Sequence, residues 1–211
     1  MSKDLNPKKA LIFRILHRDN FPAVVSDGCH CRSAGQGKKY VEIGNEELIA
    51  KRLGRAVPCG PKGTLGDYVP FYFTPYTPML YNIITGYSGI PKKPVQDIII
   101  LISTLYRLRD AKIKFVFSDR HAYLKTALFS DDLADLEDWI IWPVLQARDF
   151  RRDDLDRFEK YQAEALVHKH VPVDALSGVV CYNDSVRAAL QMQADRKGVK
   201  LKIVAQPRWY L

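Results

Sequence analysis

The stretch DYVPFYFTPYTPMLYNI, residues 67–83, combines six aromatic rings with three prolines in seventeen residues. Proline removes a donor from a sheet ladder, so three prolines are unusual in a central strand. A solvent loop rarely needs six rings. We therefore expect one face of the segment to lie in the core, while the prolines keep the remaining rings open near a site. The rings are Tyr68, Phe71, Tyr72, Phe73, Tyr76 and Tyr81, and the prolines are Pro70, Pro75 and Pro78.

The chain that surrounds this segment is basic. Its 211 residues include 32 Lys and Arg against 24 Asp and Glu, which gives a net charge of +8. A positive surface attracts polyanions, and aromatic rings beside it can stack on unpaired bases, each stack contributing about 1–3 kcal/mol. Charge alone leaves both nucleic-acid binding and simple solubility open. The length and the hydrophobic share of 47% fit one domain over residues 1–211.

The hydrophobic pattern does not predict a membrane protein. The longest apolar run, VQDIIILISTL, is interrupted by Asp97 and is too short for a membrane span. The N-terminal MSKDLNPKKA is charged and lacks the apolar stretch of a signal peptide. We expect a cytoplasmic protein without a membrane partner.

The four cysteines do not predict a disulfide framework in a chain of this size. Cys29, His30 and Cys31 form the sequence CHC, a pattern that raises the question of zinc. Metal knuckles usually place two or more residues between their cysteines, and no second knuckle follows. We expect reduced cysteines in a loop and no metal.

Short strands and helices follow one another without regular alternation, and the chain lacks a G-x-G-x-x-G turn, so the sequence predicts an α+β fold and not a doubly wound sheet. Asn45 and Asp184 are the expected caps of two helices, which end at Gly54 and Gly198. A glycine-rich loop is expected over RSAGQGKKY, residues 32–40. The expected strands are 10–17, 67–73, 97–103, 114–118, 163–170, 178–183 and 201–206, and the expected helices are 18–28, 44–54, 133–146, 153–162 and 184–198.

Two arginines stand out as candidates for chemistry. Arg14 lies among apolar neighbours in the strand ALIFRILH, where its five donors must reach solvent or find an acceptor. An acid, a phosphate-bearing ligand and packing at the core edge all remain open. Arg52 lies near a helix end, where a cation complements the helix dipole, and this structural role suffices if Arg52 is taken alone.

Glu164 opens the expected strand 163–170, and a carboxylate at the mouth of a strand commonly forms only a weak surface ion pair. Arg120 and His121 follow a strand directly, at a position where functional loops often begin. This pair can bind phosphate, or His121 can be an ordinary histidine with a local hydrogen bond.

Five sequence motifs, taken in their order along the chain, are a more specific guide to the family than any single residue. Together they resemble the DarT-type DNA ADP-ribosyltransferase toxins of DarTG-like toxin–antitoxin systems. The resemblance runs from about residue 10 to the C-terminal RWYL. The motifs are IFRILHRDN, ELIAKRLGRAVP, GTLGDYVPFYFTPYTPMLYNI, KFVFSDRHAYL and YQAEALVHKHVP.

The resemblance implies an ADP-ribosyltransferase fold, in which split antiparallel β-sheets with flanking helices hold NAD in a cleft. It implies transfer of ADP-ribose from NAD to a base of single-stranded DNA with release of nicotinamide. It also implies a cognate antitoxin, of macrodomain type or another type, that removes ADP-ribose. NAD is the expected substrate, and no metal is expected.

By motif, Glu164 matches the family's catalytic glutamate and Arg52 its catalytic arginine. Glu164 would hold the ribose beside the nicotinamide, and Arg52 is expected to clamp NAD phosphates or the base, since guanidinium stays protonated. Many family members have histidine where this chain has Arg14, so Arg14 is expected to contact NAD with a different reach. The implied NAD-binding residues are Arg14, Ile15, Leu16, His17, Asn20 and Arg52, and the implied DNA-binding residues are Tyr72, Met79, Arg120 and His121.

The resemblance leaves the modified base open between guanine and thymine. The arginine of RILHRDN leads us to favour guanine. An enzyme on the same fold that modifies RNA or protein is the alternative function. A non-catalytic nucleic-acid binder is a further alternative, and the presence of both Arg52 and Glu164 argues against it.

Overall fold

The computed structural model describes residues 2–34 and 40–210, which contain ten strands and eight α-helices. The strands are β1 Leu11–His17, β2 Cys29–His30, β3 Tyr68–Tyr72, β4 Ile98–Thr104, β5 Phe115–Ser118, β6 Phe129–Ser130, β7 Glu164–His168, β8 His170–Val171, β9 Gly178–Cys181 and β10 Ile203–Ala205. The helices are α1 Phe21–Asp27, α2 Glu46–Arg52, α3 Pro78–Thr85, α4 Leu105–Asp110, α5 Leu136–Trp139, α6 Trp142–Ala147, α7 Leu155–Tyr161 and α8 Asp184–Arg196.

Eight strands form the main sheet in the order β10-β9-β4-β1-β3-β7-β5-β6. The paired strands run antiparallel, except that β10 is parallel to β9. β1 pairs with β4 along its whole length, but it meets β3 only where Phe13 lies opposite Tyr72. The main sheet therefore consists of two halves, β10-β9-β4-β1 and β3-β7-β5-β6, and we call the β1–β3 junction, where one residue pair joins them, the split in the sheet.

The expected strand 163–170 is broken at Lys169. This residue has a φ of 61°, a left-handed backbone that a strand cannot contain. The chain therefore leaves β7 in the main sheet and continues as β8, which pairs with β2 in a separate two-stranded sheet. Cys29 and Cys31, expected in a loop, are buried in and directly after β2, and both thiols are free.

Local signals position α2 and α8 much as the sequence predicts. The Asn45 side chain accepts a hydrogen bond from the Leu48 backbone N–H and caps α2. The cap of α8 is Asn183 and not the expected Asp184, because the Asn183 oxygen accepts from Val186. The glycine-rich loop predicted over 32–40 lies partly outside the described residues.

The aromatic segment is more regular and more buried than the sequence suggests. Four of its six rings, those of Tyr68, Phe71, Phe73 and Tyr76, are buried in the core. After β3 the chain forms α3, with Pro78 in its first turn and the Thr77 side chain as its cap. The expectation that the prolines hold the rings open is therefore wrong for most of the segment. Pro70 lies within β3, and Pro78 begins α3, where its missing N–H and fixed φ suit the first turn of a helix.

Among the described residues, no helix combines the length and the apolar character needed to cross a bilayer.

Candidate active site

Glu164 and Arg52 form an ion pair beside the split in the sheet. Two parallel hydrogen bonds join them, from Arg52 Nη1 to Glu164 Oε1 at 2.7 Å and from Nη2 to Oε2 at 2.5 Å. The Glu164 side chain is 1% exposed and that of Arg52 is 15% exposed. The expectation of a weak surface pair at the strand mouth is therefore wrong. A bidentate arginine–carboxylate pair gives both strength and a fixed orientation.

The elements that carry this pair explain its precision. Glu164 is the first residue of β7, and its backbone N–H donates to Ser118 Oγ in the last residue of β5. Its Oε1 also accepts from the backbone N–H of Ala122 at 3.1 Å. Arg52 is the last residue of the capped helix α2. The carboxylate is thus held from two strands and a loop before any ligand arrives.

Electrostatics keep both members of the pair charged. Burial by itself would raise the pKa of Glu164, but the charge and hydrogen bonds of Arg52 lower that pKa below its ordinary value. Burial would lower the pKa of Arg52, and Glu164 more than reverses this effect. Arg52 therefore holds its proton firmly and does not serve as a free base while it is paired.

His121 lies against both charged groups. Its Nε2 is 3.5 Å from Arg52 Nη1, and its Nδ1 is 3.9 Å from Glu164 Oε1. Burial lowers the pKa of His121, Glu164 opposes this shift, and Arg52 adds to it, so the net pKa lies below the ordinary value. The structure thus places a neutral imidazole next to a fixed carboxylate.

Tyr72 and Met79 form one wall near the pair. Tyr72 is directly opposite Glu164 in the β3–β7 pairing, and its hydroxyl donates to the Met79 sulfur at 3.6 Å. Burial, together with the negative charge of Glu164, raises the pKa of Tyr72, so the phenol stays protonated. The structure therefore brings three of the four predicted DNA-binding residues, Tyr72, Met79 and His121, to the neighbourhood of Arg52 and Glu164.

The fourth, Arg120, belongs to a different arrangement. Its guanidinium contacts the carboxylates of Asp119 at 3.0 Å, Asp156 at 3.1 Å and Glu159 at 3.1 Å. These three acids compete with a phosphate for the same donors. The expectation that Arg120 contacts DNA is untested, and its engagement with these acids argues against it. Arg120 fastens the loop before His121 to α7, an effect reinforced by the hydrogen bond from the His121 N–H to the Glu159 carbonyl.

The predicted NAD-binding residues of β1 differ in whether their side chains or only their backbone can contact a ligand. Arg14 donates from Nη1 to the Pro70 carbonyl at 2.9 Å and so bridges the two half-sheets, while its buried Nε finds no hydrogen-bond partner within residues 2–34 and 40–210. His17 is buried, and its Nδ1 accepts from the Asp19 N–H. Ile15 and Leu16 are core residues, each 5% exposed, so only their backbone is suited to contact a ligand.

Asn20 has a role that sequence reasoning missed. Its side chain is buried and makes two hydrogen bonds with the backbone of Val41, one with the carbonyl at 2.9 Å and one with the N–H at 2.8 Å. This clamp fixes the chain just before α2 and hence the approach of Arg52. The backbone N–H of Ala122 was also missed. Neither role leaves a local signal, because both depend on partners more than twenty residues away.

Comparison with known structures defines the class of the protein first. The fold superposes on Thermus sp. 2.9 DarT in complex with NAD+ with a TM-score of 0.86 and 27% identity, covering 98% of this chain and 100% of that one. It matches Thermus sp. 2.9 DarT in complex with ADP-ribosylated ssDNA with a TM-score of 0.85 and 26% identity, covering 98% of both chains. The expected mixed α+β ADP-ribosyltransferase fold is confirmed.

Sequence comparison then gives the family. Residues 13–211 match a family model described as "DarT: ssDNA thymidine ADP-ribosyltransferase, DarT". The chain is also 47% identical over 212 residues to a DNA ADP-ribosyl transferase of Escherichia coli O127:H6 (strain E2348/69 / EPEC), covering 99% of this chain and 97% of that protein. The chain belongs to the DarT family of single-stranded DNA ADP-ribosyltransferases, the toxins of DarTG systems. The predicted family and enzyme class are thereby confirmed.

Proposed function

We propose that this chain binds NAD+ in the cleft at the split of the sheet and transfers its ADP-ribose to a base of single-stranded DNA. The observation that carries the proposal is the buried bidentate pair of Arg52 and Glu164 at that split. A buried carboxylate aimed at a cleft can accept hydrogen bonds from a ribose and stabilise positive charge that develops on the sugar. Membership of the DarT family supports the same reaction.

In this proposal, the glycosidic bond between nicotinamide and ribose breaks, and nicotinamide leaves with the bonding electrons. Glu164 holds the ribose hydroxyl and faces the cationic sugar carbon. The base nitrogen then forms the new bond and loses its proton. Arg52 clamps the NAD+ phosphates or the base, since Glu164 keeps its guanidinium protonated. His121 is the neighbouring group that is neutral and able to take up the proton of the base.

The donor side of the cleft is formed by β1 and the turn that follows it. Arg14 and His17 are proposed as direct NAD+ contacts, because Arg14 bridges the half-sheets and has a donor to spare. Ile15 and Leu16 are proposed to contribute through their backbone. Asn20 is proposed to act by positioning, because its amide is engaged by Val41. Tyr72, Met79 and His121 are proposed as the acceptor side.

We propose thymine as the modified base, on the support of the family description, which names thymidine. The preference for guanine that the arginine of the first motif suggested remains untested and is the competing outcome. In either case the target base must be unpaired or splayed out, since its edge is not accessible inside a duplex.

The test is mass spectrometry of short single-stranded oligonucleotides, each with one type of base in a mixed context, after incubation with protein and NAD+. A gain of one ADP-ribose only on strands that contain thymine is the expected result. A gain only on strands that contain guanine would support the proposed transferase activity and contradict thymine as the modified base. Labelling of RNA or protein, with all DNA strands unmodified and the protein folded, would contradict the proposed acceptor.

We also propose a partner that removes ADP-ribose from the modified DNA, of macrodomain type or another type. A covalent mark on DNA blocks growth unless it is hydrolysed, so a toxin of this kind needs a reversing activity in the same cell. Expression of the chain with and without a candidate antitoxin tests this. Growth should stop without the partner and resume with it, while a hydrolysis-deficient partner should fail to restore growth.

A further inference from the structure

The second, two-stranded sheet carries a cluster of potential metal ligands that the reaction does not use. His30 on β2 and His170 on β8 are directly opposite each other in the pairing, and their rings are stacked with centroids 4.3 Å apart. Asp27, the last residue of α1, lies beside them. One carboxylate oxygen and one nitrogen of each imidazole all lie within 4.8 Å of one another.

The fold assembles this cluster from distant parts of the sequence. Gly28 ends α1 with a φ of 69°, and a Cβ added there would come within 2.2 Å of the Val171 carbonyl oxygen. Only glycine therefore allows the end of α1 to approach β8 so closely. On the other side, the left-handed Lys169 turns the chain out of β7 and directs His170 to β2.

The histidine pair is separate from the cysteines that flank His30. Successive residues of a strand point to opposite faces, so His30 faces away from its buried neighbour Cys29. The CHC pattern raised the question of zinc, but the spacing of its cysteines led us to expect no metal. A second imidazole, that of His170, lies beside His30 only because β2 pairs with β8.

The contacts within the cluster suit a cation. His30 Nε2 is buried and makes no aligned hydrogen bond within the described residues, although it lies 3.0 Å from Asp27 Oδ2. Two atoms that bind the same tetrahedral zinc ion at about 2.0–2.2 Å stand about 3.4 Å apart, so this contact needs only a small widening to admit the ion. His170 donates from Nε2 to the Asp27 backbone carbonyl at 2.7 Å, which leaves the lone pair on Nδ1. Such anchoring by a carbonyl is typical of histidines that bind metal.

We propose that Asp27, His30 and His170 bind one divalent transition-metal ion of the zinc, cobalt and nickel group. Two imidazoles and one carboxylate suit these borderline ions, whereas calcium and magnesium prefer sets of oxygen ligands. On binding, the stacked rings turn about χ2, a broad torsion in histidine, and the half-exposed Asp27 side chain closes on the ion. The ion fastens the end of α1 to the β2–β8 sheet.

The experiment uses the full chain, free of any affinity tag and stripped of metal with a chelator. Binding of Zn2+ is measured by competition with a chromophoric chelator, and Co2+ is used as a spectroscopic probe. We expect one equivalent of metal with imidazole and carboxylate ligands in the Co2+ spectrum. Because a ligand stabilises the state that binds it, the unfolding midpoint should rise by about 5 °C at about 100 times the dissociation constant.

Four variants decide the assignment. His30→Gln, His170→Gln and Asp27→Asn should each weaken binding about tenfold or more and remove the shift in midpoint. His168→Gln is the matched control, because His168 is half-buried on the adjacent strand β7 and lies outside the cluster, and it should leave binding unchanged. Asp27 is half exposed, so its variant tests the site without a large effect on folding. Equal Zn2+ affinity in all four variants, or no binding by the unaltered chain, would overturn the proposal.

Discussion

At the scale of single residues, the pairing of Glu164 with Arg52 sets what each can do. The carboxylate is fully buried, and its partner guanidinium is largely buried, so removing one leaves the other charge without compensation. Removal of one member of a buried pair commonly costs about 3–5 kcal/mol of stability. A truncation such as Glu164→Ala removes the charge and also the hydrogen-bond acceptors of Arg52, so it confounds folding with catalysis; an isosteric change keeps the shape and one acceptor oxygen and is the better probe.

Glu164→Gln should reduce ADP-ribose transfer by about 10²–10³-fold, because the amide keeps the shape of the side chain but loses the negative charge that faces the developing cation. The measurement is the rate of oligonucleotide modification, followed by mass spectrometry, with circular dichroism to show that the protein is folded. Glu137→Gln, which removes an exposed carboxylate on α5, is the matched control and should keep full activity. Full activity of a folded Glu164→Gln protein would contradict the proposed role of Glu164 in the transfer reaction.

The state of His121 gives a prediction about pH. Its pKa in the folded protein is lowered below the unfolded value of about 6.5, chiefly by burial. Protons therefore bind the unfolded chain more readily, so the contribution of His121 to stability is complete above pH 6.5 and is lost as pH falls towards the folded pKa. Transfer should decline over the same range as the imidazole becomes charged. Histidine NMR should show His121 titrating below 6.5, and titration above 6.5 would refute the assignment.

At the scale of secondary-structure elements, α2 is important because it ends in Arg52. The helix is seven residues long and contributes no residue to the hydrophobic core, so it is held in place largely by its own cap and by the Asn20–Val41 clamp before it. Short helices are marginal without such support. The orientation of Arg52, which we propose as a catalytic residue, should therefore depend on the cap at the opposite end of the helix.

Asn45→Ala should lower stability by about 1 kcal/mol, since it removes the side-chain acceptor for the Leu48 N–H, and it should also lower the transfer rate. Asn183→Ala removes the equivalent cap of α8, which carries none of the proposed site residues. This control should show a similar loss of stability with an unchanged rate. Thermal unfolding and transfer assays measure the two effects. Equal rates in the two variants would mean that the cap of α2 does not position Arg52.

At the scale of the whole molecule, the net charge of +8 gives a test that is independent of catalysis. If Lys and Arg contact phosphates, the logarithm of the affinity for a single-stranded oligonucleotide should fall linearly with the logarithm of the salt concentration. The slope should be steeper by about 0.7 for each phosphate contacted. Fluorescence anisotropy measures this slope. Arg120→Gln should leave the slope unchanged, because the Arg120 guanidinium is engaged by three carboxylates. A flat salt response would mean that the charge excess is unrelated to DNA.

Much of the architecture was predictable because its signals are local. Alternating faces in β1 and short apolar runs in β4 and β5 predict these strands close to their observed bounds. Asn45 and Gly28 mark helix ends through their own side-chain and backbone chemistry. The order of the motifs identified the family and pointed to Arg52 and Glu164. The same local logic failed at Lys169, where a left-handed residue divides a run that reads as one strand.

The sequence by itself determined the class of fold and the family, and it pointed to the two charged residues that we propose for the centre of the site. Periodicity, capping and motif order are properties of neighbouring residues, so they can be recognised without the structure. Only the tertiary structure decided that Arg52 and Glu164, 112 residues apart, form a buried bidentate pair, and that Arg120 faces acids. It alone placed His170 beside His30 and Asp27. Such contacts depend on which strands become neighbours, and that choice is made by the folding of the whole core.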